Sequence, residues 1–103
     1  MPDINAMYDE ATALKDAANL PGAVAKLEEI LAIEPTHVLT HQALAVYCQR
    51  LGLADKAIAY ARKVVELDPK NPVSYTQLSI ICQRLGRIAE AEEALARGKM
   101  PVH

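Results

Sequence analysis

The chain has 103 residues, 51% of them hydrophobic, and a formal net charge of −2 with no more than two basic residues in a row. That length holds one ordinary domain at most, and that charge excludes the basic patch by which proteins hold nucleic acid or an anionic membrane. No apolar run is long enough to span a bilayer, and the Met1-Pro2-Asp3-Ile4 start lacks the basic and apolar stretches of a secretory signal. Two cysteines, Cys48 and Cys82, make no disulfide framework, so the sequence points to a reduced, cytoplasmic protein.

The apolar fraction contains no Phe or Trp and only four Tyr. Ala, Leu, Ile and Val carry it, a composition suited to close packing between helices, with Ala the best helix former. In chain order, helical periodicity first appears over Met7–Ala18. Pro21-Gly22 reads as the break before a second helix over Ala23–Ile33. Val38–Leu51 then sets Leu44, Ala45, Cys48 and Leu51 at helical spacing and stops at Gly52, a residue suited to a left-handed helix end. The next helix, from Ala54 or Asp55, gathers Ala57, Ile58, Ala61, Val64 and Val65 on one face and ends at Asp68-Pro69. Pro72 falls where the first turn of a following helix tolerates proline.

These elements repeat. Cys48-Gln49-Arg50-Leu51-Gly52 recurs as Cys82-Gln83-Arg84-Leu85-Gly86 at a shift of 34 residues. The same shift, with no insertion, relates Leu44 to Leu78, Ala23 to Ala57 and Ala91, Ala11 to Ala45, and Pro35 to Pro69. Three registers fill the chain, about 4–37, 38–71 and 72–103, each of two helices. This pattern resembles the tetratricopeptide repeat family. Leu44, Ala45, Gly52, Ala57, Ala61 and Pro69 carry the likeness in the second register, and Tyr75, Leu78, Ser79, Gly86, Ala91 and Leu95 carry it in the third. In the first, Ala11, Ala23, Leu27, Ile30 and Pro35 fit, while Ala18 stands in place of the turn glycine. The resemblance implies an all-α, right-handed solenoid of three helix-turn-helix repeats, about six helices in one domain, that binds proteins rather than catalysing a reaction.

In that family the first helices line a concave groove that receives a peptide or protein segment. Helical spacing assigns to this face Asn5, Tyr8, Asp9, Thr12 and Asp16 from the first register, and Leu39, Gln42, Ala43, Val46, Gln49 and Arg50 from the second. The third adds Val73, Thr76, Gln77, Ile80, Gln83 and Arg84. The expected groove has an apolar strip of Leu39, Val46, Val73 and Ile80. Beside it lie amides able to donate to and accept from a peptide backbone, and at one rim two arginines suited to carboxylates. Co-chaperones of the family hold acidic chaperone tails with a clamp of Lys, Asn, Asn, Lys and Arg. The equivalent places here carry Tyr8, Thr12, Ala43, Val73 and Gln77, so that clamp is not expected.

Other groupings point away from chemistry. His41 and Cys48 supply too few ligands for a metal, and the acidic groups Glu28-Glu29 and Glu90, Glu92 and Glu93 fall on polar helix sides near Lys26, Arg87 and Arg97. No nucleophile elbow, phosphate loop or zinc-protease motif occurs. No enzyme activity, cofactor or metal is expected. The third register ends soon after its second helix, which predicts an apolar edge of Ile81, Ile88 and Leu95. That edge gives the alternative reading: an oligomerisation module, with a homodimer formed through the C-terminal repeat.

Overall fold

Six helices make up most of the described part of the chain in the computed structural model, which describes residues 2–99. They are α1 (Ile4–Asp16), α2 (Leu20–Ile33), α3 (Val38–Arg50), α4 (Ala54–Leu67), α5 (Pro72–Arg84) and α6 (Ile88–Gly98), and no strand occurs among the described residues. The helices pack as hairpins, α1 on α2, α3 on α4 and α5 on α6. The hairpins stack through α2 on α3 and α4 on α5, with α3 also touching α5. The result is the expected all-α solenoid, 40 × 30 × 18 Å in extent.

Local chemistry fixes where each helix starts and turns. The Asp3 carboxylate accepts from the backbone N–H groups of Asn5 and Ala6 at 3.0 and 3.3 Å, satisfying donors that the first turn of α1 leaves open. Asn19 caps α2 by accepting from Gly22 N–H at 3.0 Å, and Asn71 caps α5 by accepting from Val73 N–H at 3.0 Å. The three hairpin turns are built alike. Asn19, Leu53 and Arg87 donate their N–H groups to the carbonyls of Leu14, Cys48 and Cys82, at 2.8, 2.9 and 2.8 Å. The residues just before them, Ala18, Gly52 and Gly86, take φ of 62°, 76° and 77°. This six-to-one closure needs a left-handed residue, which glycine adopts freely and alanine only with strain.

Two sequence expectations are corrected here. Pro21-Gly22 does not separate the first two helices: both residues lie inside the first turn of α2, where the missing proline N–H costs nothing. The break is Ala18-Asn19, so the first helix ends at Asp16, not Ala18, and the second begins at Leu20. The predicted apolar edge on the last hairpin also shrinks. Ile81 is buried in the core and Leu95 is half-buried, leaving Ile88 exposed.

The core is one continuous cluster running through all three hairpins. Leu27, Ile30, Leu44 and Ile81 have at most 2% of their surface exposed, and each contributes roughly 1.5–3 kcal/mol by leaving water. The small residues expected at helix crossings are all buried: Ala11, Ala45 and Ser79 on the first helices, Ala23, Ala57 and Ala91 on the second. With no larger side chain between them, the helices of each hairpin approach closely, and packing of this density leaves little room for added atoms.

Candidate functional site: the open face of the first helices

Burying one stripe of α1, α3 and α5 against α2, α4 and α6 leaves the opposite stripe of the first helices in solvent. Large apolar side chains remain there: Leu39 is 57% exposed, Val73 64% and Ile80 42%. Single exposed apolar residues are ordinary on a protein surface. Three on the same stripe of adjacent helices form a patch, whereas the other exposed large aliphatic residues, Ile33, Leu53 and Ile88, lie outside that stripe.

The polar residues of this face differ in how they are held. Gln42, Gln49 and Gln77 are half-buried, whereas Arg50, Gln83 and Arg84 are exposed. Arg84 Nη1 donates to Gln49 Oε1 at 3.5 Å, a long contact that joins the rims of α5 and α3. Both groups keep most of their hydrogen-bonding capacity, since a guanidinium carries five donors. Asp16 pairs with its neighbour Lys15 at 3.2 Å.

Other predicted residues serve the fold as well. Val46 and Tyr8 are half-buried and pack against the core cluster. Burial, followed by the nearby Tyr47, pushes the Tyr8 hydroxyl up from its usual pKa, and Lys15 partly offsets this. The half-buried Thr12 spends its hydroxyl on the Tyr8 carbonyl at 3.1 Å. Asn5, Asp9 and Asp16 of α1 are exposed, as are Arg50 of α3 and Thr76, Gln83 and Arg84 of α5, so all three first helices contribute to the polar edge of the face.

The groups considered for chemistry are held structurally. Cys48 and Cys82 are free thiols buried between helices, and burial pushes both thiols up, away from the thiolate a nucleophile needs. His41 is buried with Nε2 2.7 Å from the Pro35 carbonyl, which fixes Nε2 as the donor. Among the described residues, no three His, Cys, Asp or Glu side chains come together as a metal site, and no helix is long and apolar enough to cross a membrane.

Side-chain pairs across the second helices, Lys56 and Tyr60 with Glu28 and Arg62 with Glu90, are too far apart in sequence for helical periodicity to pair them and form the other organised polar feature. Glu28 accepts from Tyr60 at 2.7 Å and from Lys56 at 3.0 Å. Glu90 accepts from Arg62 at 2.8 Å and from Arg87 at 3.2 Å. The sequence holds one trace of this: Glu28–Lys56 maps onto Arg62–Glu90 under the 34-residue shift, with the charges exchanged.

Stacked helical hairpins with one open, partly apolar face are the architecture of a protein-interaction scaffold. The tetratricopeptide repeat family model matches residues 49–101, and the chain belongs to that family. Solved structures share the fold at low identity. A crystal structure of MamA superposes with a TM-score of 0.82 at 19% identity, covering 93% of this chain and 56% of that one. MamA 41-end from Desulfovibrio magneticus RS-1 gives 0.79 at 18%, covering 93% and 54%. The second TPR of Spaghetti (RPAP3), solved bound to the HSP90 peptide SRMEEVD, gives 0.78 at 13%, covering 92% and 88%. The chain thus spans about half the length of the MamA chains it matches. No curated protein matches it significantly in sequence.

Proposed function

We propose that the chain is a non-catalytic adaptor that holds an extended protein segment against the open face of α1, α3 and α5. The exposed apolar trio Leu39, Val73 and Ile80 carries this reading, because nothing in the fold requires them to be apolar. A bound segment would cover Leu39, Val73 and Ile80 with its own apolar side chains. Gln42, Gln49, Gln77 and Gln83 would meet its backbone, and Arg50 and Arg84 would meet carboxylates at one end. Tyr8, Thr12 and Val46 complete the face as partly buried supports. Peptide capture by the Spaghetti domain supports the class of ligand. Its acidic peptide is not the ligand proposed here, since Tyr8, Thr12, Ala43, Val73 and Gln77 supply no carboxylate clamp. Two buried free thiols support a reducing, cytoplasmic setting.

Selection of a random-peptide library on the wild-type chain, counter-selected on a Val73→Asp/Ile80→Asp double variant, tests this. Peptides that bind the wild type, lose at least tenfold in affinity on the variant, and shift the amides of α3 and α5 are expected. Peptides that bind both proteins equally would rule the face out. The competing reading, assembly through the C-terminal repeat, rests on Ile88, which is 54% exposed. Glu92 and Lys99, also exposed, occupy the registers of Ile58 and Val65 and make the adjoining surface polar. A monomeric mass at high concentration is therefore expected from light scattering, and an Ile88-dependent dimer would favour assembly instead.

A further inference from the structure

The side of the solenoid formed by the second helices carries a cleft of about 200 Å³ between α4 and α6, floored by α5. Its floor includes Leu78, Cys82 and Ala94, and Tyr75 forms one wall. Under the 34-residue shift this place corresponds to the seam between α2 and α4 over α3, where the same floor is Leu44 and Cys48. In that earlier seam the counterpart of Ala94 is Tyr60. The Tyr60 ring lies 5.9 Å from the His41 ring, and its hydroxyl donates to Glu28 at 2.7 Å. One seam is thus roofed by the chain's own phenol ring. The other lacks that ring because residue 94 is alanine, 3% exposed at the cleft floor.

We propose that the α4–α6 seam is a docking site for one tyrosine side chain presented by a partner protein, seated where Tyr60 sits in the preceding repeat. Three observations select this occupant. The cleft is smaller than the roughly 300–1,000 Å³ of small-molecule pockets and matches a single anchoring side chain. Its floor is mostly apolar, with the Cys82 thiol its one weak hydrogen-bonding group, so a flat apolar ring suits it better than a strongly polar group. Its rim holds Glu66, Glu90 and Glu93 against Arg62 and Arg97, an acidic excess that disfavours phosphotyrosine or a carboxylate. Arg62 stands at the register of Glu28, so the hydroxyl that donates in the first seam would accept from a guanidinium in the second. Arg62 has donors to spare beyond its 2.8 Å bond to Glu90. This site faces away from the α1–α3–α5 surface and does not depend on it.

The test is an amide-resolved titration of the full chain with p-cresol and with N-acetyl-tyrosinamide, the side chain alone and the side chain on a backbone. Both are expected to saturate in the millimolar range, with shifts centred on Val65, Cys82 and Ala94. Ala94→Tyr fills the seam from within and should weaken both by at least tenfold while keeping the melting temperature. Tyr60→Ala is the companion variant. It opens the first seam, lowers the melting temperature, and should gain a second set of shifts around Cys48 as p-cresol restores stability, as an apolar ring refills an engineered cavity. The Val73→Asp/Ile80→Asp variant should bind both probes as the wild type does, which separates this site from the open face. Absence of shifts at the α4–α6 seam would overturn the proposal. So would binding that persists in Ala94→Tyr, or binding of p-cresol without N-acetyl-tyrosinamide.

Discussion

Leu39 and Leu44 lie on the same helix, α3, yet the first is 57% exposed and the second is fully buried. The same division runs along α5, where Ile81 is buried and its neighbour Ile80 is 42% exposed. One stripe of each helix is tied into the core, and any change in volume there is felt through close packing. The other stripe is equally apolar in places, but its exposed members Leu39, Val73 and Ile80 lie outside the core cluster. Apolar residues on the first stripe are explained by folding; the exposed ones on the second need a different explanation, which the partner segment proposed above would supply. In a solenoid each hairpin rests only on its neighbours, so the open face can vary with little cost to the stack.

The contrast makes graded predictions. Leu44→Ala should cost about 2–5 kcal/mol, the usual range for truncating a buried leucine, and a chain of this size would lose much of its stability in chemical denaturation. Ala57→Leu places a large side chain at a crossing where none is exposed; overpacking of about 1–3 kcal/mol is expected, again read from the denaturation midpoint. Ala18→Gly leaves both faces intact and relieves the left-handed strain at φ 62°. It should raise stability by about 0.5–1 kcal/mol, the part of the strain not offset by glycine's greater freedom when unfolded.

A smaller effect concerns pH. The Tyr60 hydroxyl, and then Lys56, hold the Glu28 carboxyl below its usual pKa, despite burial acting the other way. A carboxylate lowered in the folded state contributes fully above the ordinary Glu range near 4.3. That contribution is lost as pH falls through the folded value. Glu28→Gln should flatten the acid limb of the stability profile by a few tenths of a kcal/mol, since the side chain is partly exposed and screened.

Much of this contrast is legible in the residues themselves. The Cys-Gln-Arg-Leu-Gly echo and the small residues at 11, 23, 45, 57, 79 and 91 expose the repeat because helix crossings tolerate no larger side chain. Gly52 and Gly86 mark two turns for the same reason that left-handed backbone favours glycine. The first turn is hidden because Ala18 adopts that backbone against its own preference, held by the closing bond from Asn19 to Leu14. The pairing Asn19-x-Pro21, a cap followed by a first-turn proline, was the available signal for the start of α2. For the candidate site, spacing places the right residues on one face but cannot give their depth. Tyr8 and Val46 read as groove wall, and the structure packs them partly into the core. The cross-repeat partners of Glu28 and Glu90 were out of reach because long side chains choose partners in space, not by helical period.

The measurement that tests the central claim most directly sets stability against binding in one variant. Val73→Asp/Ile80→Asp should unfold within about 0.5 kcal/mol of the wild type, as exposed substitutions do, while its affinity for a selected peptide falls at least tenfold. A loss of stability approaching that of Leu44→Ala, or peptide binding left unchanged, would contradict the claim that this face is free of the fold and built for a partner.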